Sequence, residues 1–152
     1  MALPTTLKRR LLQNLIRVVE RAAATLPASG TDSLFTVTGG RIAVHGIVGL
    51  VGTAIQAQAC NTTLIGNPTT GASHNMGALL DITGLGAGSQ LSIGGKTALA
   101  ADGLLAGAYM CSNPVIIRIG VIDLLTSATN SGTIAWTVFW QQLDDGASIV
   151  AA

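Results

Sequence analysis

Residues 115–143 read VIIRIGVIDLLTSATNSGTIAWTVFWQQL, and this stretch decides the fold class. Two apolar runs, residues 115–125 and 133–143, are rich in Val, Ile, Thr and Trp, the residue types that fit a pleated, half-buried surface. They flank Thr129-Asn130-Ser131-Gly132, a cluster of turn formers, so the local pattern predicts a β-hairpin. In the second run Ile134, Trp136, Val138 and Trp140 fall on alternate positions. Side chains in a strand point alternately to its two faces, so these four are expected to form one wall of the core.

Working outward, the same period of two recurs. Residues 33–38 alternate, Gly39-Gly40 turns, and residues 41–51 read as a long strand with Ile42, Val44, Val48 and Leu50 on one side and Ala43, His45, Ile47 and Val51 on the other. Residues 55–64 predict another strand ended by Asn67-Pro68-Thr69-Thr70-Gly71, a strong loop signal. Residues 76–82 and 90–93 are shorter candidates, separated by the glycine-rich Gly84-Leu85-Gly86-Ala87-Gly88, and residues 97–110 suit either a short helix or a turn at Asp102-Gly103. Short strands with turn signals about every ten residues indicate an antiparallel β-sandwich or jelly-roll-like barrel.

The leading segment has a different rhythm. Leu7, Leu11, Leu15, Val18 and Ala22 recur at spacings of three and four, and Leu12, Ile16, Val19 and Ala23 widen the stripe. The spacing predicts an amphipathic α-helix over residues 6–25, roughly 30 Å long. Leu26-Pro27-Ala28-Ser29-Gly30 then ends it, dividing the chain into an arm and linker at 1–30 and a β-rich body at 31–152.

At 152 residues the chain is the size of one domain. Charged residues make up 10%, against about 25% in an average soluble domain. Hydrophobic residues make up 49% and mean hydropathy is +0.56, which excludes intrinsic disorder. So few charges cover a small sphere poorly, and part of the apolar surface is expected to meet other protein chains. The charge is also uneven. Residues 1–30 carry Lys8, Arg9, Arg10, Arg17 and Arg21 against Glu20, a balance of +4. The remainder carries Arg41, Lys96 and Arg118 against Asp32, Asp81, Asp102, Asp123, Asp144 and Asp145, a balance of −3.

Motifs for chemistry are thin. Gly94-Gly95-Lys96-Thr97 has the ending of a phosphate loop, but Gln90 stands where its first glycine is required. Gly84, Gly86 and Gly88 resemble half a dinucleotide fingerprint with no helix start behind them. His45 and His74 have no carboxylate near them in sequence, adjacent Asp144 and Asp145 would diverge on an extended chain, and Cys60 and Cys111 read as buried free thiols. No catalytic residue, metal or other cofactor is expected. In the basic arm there is no aromatic residue to stack on nucleic-acid bases or anchor in a membrane, and the uncharged residues 42–80 are interrupted by Gln, Asn, Thr and Gly. Docking on an acidic protein surface is therefore the expected role of the arm. Leu11, Leu15, Ile16 and Val19 would supply its apolar face, and Lys8, Arg9, Arg10 and Arg17 its contacts to acidic groups.

Phe35-Thr36-Val37-Thr38-Gly39-Gly40-Arg41-Ile42, Thr53-Ala54-Ile55-Gln56-Ala57-Gln58, Asn67-Pro68-Thr69-Thr70-Gly71, Leu80-Asp81-Ile82 and Leu143-Asp144-Asp145-Gly146-Ala147-Ser148 resemble small virion structural proteins of tailed bacteriophages, the head decoration, cement and head fibre proteins. The likeness spans about residues 33–152, and its motifs are turns and strand ends. It implies a β-rich protomer, often trimeric, on the outside of a capsid, with the major capsid protein and its own copies as partners and no small-molecule substrate. The expectation is a capsid decoration protein bridging capsid subunits, made in the host cytoplasm and located on the virion. A tail, neck or fibre component is the alternative within the virion. A small β-rich enzyme or a carbohydrate-binding module, with Tyr109 or Trp140 as its platform, are the alternatives outside it.

Overall fold

Along residues 133–142, TIAWTVFWQQ, the alternation read from the sequence is realised: Ile134, Trp136, Val138 and Trp140 are buried and the residues between them are half-exposed. This is one of twelve strands in the computed structural model, which describes residues 15–93, 99–102 and 114–152. In chain order they are β1 Arg17–Thr25, β2 Gly30–Thr38, β3 Ile42–Thr53, β4 Asn61–Pro68, β5 His74–Asn75 and β6 Leu80–Asp81. The remainder are β7 Gln90–Ile93, β8 Leu99–Asp102, β9 Val115–Ile117, β10 Gly120–Thr126, β11 Thr133–Gln142 and β12 Ser148–Ala151.

The strands form two antiparallel sheets. The first runs β1-β11-β3-β7-β8, with β9 also paired to β3; the second runs β12-β2-β10-β4-β5, with β6 also paired to β4. One core takes side chains from both sheets, Ile42, Ile47, Trp136 and Val138 from the first and Phe35, Leu64, Ile122 and Ile149 from the second. Between β11 and β3, Trp136 is paired with Gly49. A Cβ on Gly49 would stand 2.8 Å from Trp136 Cζ3, so the indole occupies the space a larger residue would need.

Three expectations are corrected. Residues 17–25, read as the second half of a helix, are strand β1, paired with β11 from Arg17↔Trp140 to Thr25↔Thr133. The helical stripe also fits a strand here. Val18 and Val19 are β-branched, and the free side of β11 offers a hydrogen-bonded ladder. Period two then replaces the helical grouping: Arg17, Val19 and Arg21 turn to the core side and Val18, Glu20 and Ala22 away from it. Among the described residues there is no helix, and none long and apolar enough to cross a membrane.

The second correction concerns the hairpin. β10 pairs with β2 and β4, and β11 with β1 and β3, so the two strands lie in different sheets. Each buries one apolar face in the shared core, and facing one another satisfies that pattern as well as lying side by side. The connection is held on neighbouring loops: Ser127 N donates to Asn61 O (2.9 Å), Asn130 Nδ2 to Gln58 O (3.0 Å) and Gln56 N to Ser131 O (3.4 Å). The third correction is one of phase within β3. A bulge opposite Phe139 and Trp140 shifts the alternation, so Ile42 and Val44 share the core face with Ile47 and Val51, while Val48 and Leu50 face out.

Because Trp136 fills the position above Gly49, Gly49→Ala should overpack the seam and destabilise the fold by about 1–3 kcal/mol. Urea denaturation of the two proteins measures this, and an unchanged midpoint would mean that the indole moves aside without cost.

Candidate functional site

Two regions of the surface carry features that packing alone does not require. The first is the flank where β1 and β12, the edge strands of the two sheets, run close together. On β1 the core-side residues seal this flank. Arg17 lays its guanidinium over Trp140, 5.3 Å from the ring centroid, an arrangement in which the ring face attracts the cation. Val19 packs against the core, and Arg21 Nη2 donates to Asp32 Oδ2 of β2 (2.9 Å), tying one sheet to the other. Leu15 and Ile16 ahead of β1, Val18 on the outer face of β1 and Val150 on the outer face of β12 are exposed. From Val18 the outer face of the first sheet continues through Ala22, Ala135, Thr137, Val48 and Leu50, around a cleft of about 490 Å³ whose lining also includes Glu20 and Arg21.

The sequence reading grouped Lys8, Arg9, Arg10, Leu11, Leu15, Ile16, Arg17 and Val19 as a docking set. Lys8, Arg9, Arg10 and Leu11 lie outside the described residues. Leu15 and Ile16 are exposed ahead of β1, whereas Arg17 and Val19 face their own body.

The second region is one end of the molecule, where the β2–β3, β4–β5, β9–β10 and β11–β12 connections meet. Asp144 Oδ2 accepts from Arg41 N (2.8 Å) and Nε (2.9 Å), and Oδ1 accepts from Nη2 (2.8 Å). These bonds stabilise the carboxylate and hold the Asp144 pKa down at about 2, while the Arg41 guanidinium is raised above its ordinary value. Two clefts open beside this pair and share Arg118. One, about 310 Å³, is lined by Gly40, Arg41, Thr69, Thr70, Ile119 and Asp144. The other, about 360 Å³, is lined by residues including Pro68, Ala72, His74, Ile116 and Ile117. A single strand over residues 115–125, as the apolar run predicts, hides Arg118 within it. The available signal was Gly120, which with φ +151° lies against Asn67 O where a Cβ would clash at 2.3 Å and which opens β10 after the break at residues 118–119.

The remaining candidates are dispersed. His45 Nε2 contacts Gln141 Oε1 (3.0 Å) on the first sheet, and His74 stands on β5 of the second. Asp123 accepts from Ser33 Oγ (2.7 Å) and Asn67 Nδ2 (3.0 Å), a cross-strand network with all three groups in mutual use. Cys60 is a buried free thiol whose Sγ lies 3.5 Å from Ala128 O. Gly84, Gly86 and Gly88 form a turn tied to β3 by Gly88 N donating to Val51 O (2.8 Å). Residues 94–97 and Cys111 lie outside the described residues. Among the described residues no three His, Cys, Asp or Glu side chains come together as a metal site would need.

No protein-family model and no curated protein matches this sequence. Among solved structures it is similar to a chain in the structure of infectious bursal disease virus Gx strain, with 12% identity and a TM-score of 0.29 over 90% of this chain and 38% of that one. The chain therefore spans well under half the length of that viral chain.

The Arg41–Asp144 pair sets a pH dependence. Asp144 titrates at about 2 in the folded protein, below the ordinary 3.8, so its contribution to stability is present above the ordinary value and is lost as pH falls toward 2. Carbon-detected NMR of the Asp144 carboxyl should show this low midpoint in the wild type and a rise toward the ordinary value in Arg41→Gln. Identical midpoints would show that the pair does not form in solution.

Proposed function

We propose that the chain is a virion structural protein that decorates the outer surface of a phage head and stabilises it by bridging capsid subunits. The observation that carries this reading is the strand order. The chain crosses between the sheets at seven of the eleven connections between its described strands, giving β1-β11-β3-β7 in one and β2-β10-β4 with β5 and β6 in the other. Two such interleaved antiparallel sheets are the connectivity of a jelly roll, an architecture used in viral capsid domains and also in lectins and cupins. Architecture alone does not select among these. The composition favours the shell: one charged residue in ten, edge strands β1 and β12 on one flank, and exposed Leu15, Ile16, Val18 and Val150 beside them. Open edges with apolar neighbours invite another chain. The turn motifs that resemble phage head proteins point the same way.

On this reading the mechanism is binding, with no catalytic residue and no cofactor, and with neither nucleic acid nor membrane as partner. Copies of the chain associate, as a trimer, and dock on the major capsid protein. Apolar area removed from water contributes about 25 cal/mol per Å², reduced by the cost of ordering both partners. On a repeating lattice many modest contacts reinforce one another through effective concentration.

Particles purified from cells that make this chain should contain it in fixed stoichiometry to the major capsid protein, with density for it on the outside of the head by electron microscopy. Its absence from the particles would overturn the proposal, and density confined to the tail or neck would replace it with the alternative virion role.

A further inference from the structure

We propose that Arg118 is the receptor for a single carboxylate presented by a partner protein, an Asp or Glu side chain with an apolar neighbour. The inference stands on the loop end itself and not on the capsid reading. Of the two arginines there, Arg41 is engaged by both oxygens of Asp144. Arg118 is exposed and, among the described residues, has no hydrogen bond or ion pair. A guanidinium carries five donors in a rigid fork suited to a carboxylate, and here the fork opens between two clefts.

The site is held in shape before anything binds. Thr69 N and Thr69 Oγ1 both donate to Ile119 O (2.9 and 3.1 Å), clamping the β4–β5 loop to the residue after Arg118. Arg118 Nη1 lies 3.5 Å from where a Cβ would stand on Gly71, so the guanidinium rests close to that loop. A pre-shaped site loses less on binding than a mobile one.

Charge and lining select the ligand. Arg41 and Asp144 in the wall of one cleft offset each other, which leaves the Arg118 guanidinium to match one negative charge. Neither cleft is lined by a lysine or by the Trp, Tyr or Phe ring on which a sugar usually stacks, and His74 is the one ring present. Ile116 and Ile119 instead bracket Arg118 with exposed apolar surface. Arginine is enriched at protein interfaces relative to the rest of the surface, and a hydrogen bond between two charged groups is stronger than one between neutral groups.

The test is NMR on the full chain, following the Arg118 Nε–H and the Thr70 and Ile119 amides. The probes are sodium acetate, inorganic phosphate, acetyl-Leu-Glu-Leu-amide and the matching Gln peptide. Acetate should shift these signals saturably, and the Glu peptide should bind about tenfold more tightly than the Gln peptide. That preference should vanish in Arg118→Gln, whose thermal unfolding should match the wild type, and survive in part in Arg118→Lys. Equal affinity for the two peptides, or no saturable shift at Arg118, would overturn the proposal. Tighter binding of phosphate than of the Glu peptide would overturn it in favour of a phosphate site.

Discussion

Eight basic and seven acidic side chains must serve 152 residues, and the shortage governs where the chain can face water. Several of these charges hold the chain to itself. Arg21 joins the two sheets through Asp32, Arg41 closes the loop end through Asp144, and Arg17 covers Trp140. Charges used in this way seal the margins of the core, and they are then not available to clothe the outer face of the first sheet or the β1 and β12 edges. The interior and the exterior are thus coupled: the same scarcity that gives a well-filled sandwich leaves a flank on which Val18 and Val150 meet solvent.

Strand β11 organises that interior. It lies between β1 and β3, and its buried face of Ile134, Trp136, Val138 and Trp140 meets core residues of the second sheet. Gly49 makes room for Trp136, one of the two tryptophans, and Arg17 and Arg21 finish the margin that β11 would otherwise leave open. Large apolar side chains at the seam and long cationic ones at its border are a division of labour that suits a small core, because an arginine stem can cover apolar surface while its head reaches a ring or a carboxylate.

Much of this was legible in the sequence. Period-two alternation names the buried wall of β11, the turn signal at Gly39-Gly40 falls between strands, that at residues 67–71 overlaps the last two residues of β4, and the strand at 90–93 matches to the residue. What failed did so for identifiable reasons. Local pattern cannot say whether two amphipathic strands pair in one sheet or face each other across a core, and so β10 and β11 were misjoined. A single bulge moved Ile47 and Val51 to the face that Val48 and Leu50 had been given. In residues 17–25 spacings of three and four coexist with a β-branched pair, and only the free side of β11 decides between helix and strand. The loop end was illegible for another reason: Arg41, Asp144, Thr69 and Arg118 are far apart in sequence and meet only through the sheet topology.

Sedimentation velocity of the full chain at micromolar concentration tests most directly whether the uncovered flank is completed by another chain. A single species heavier than the 15.3 kDa protomer is the predicted result. A stable 15.3 kDa species across that range would contradict it.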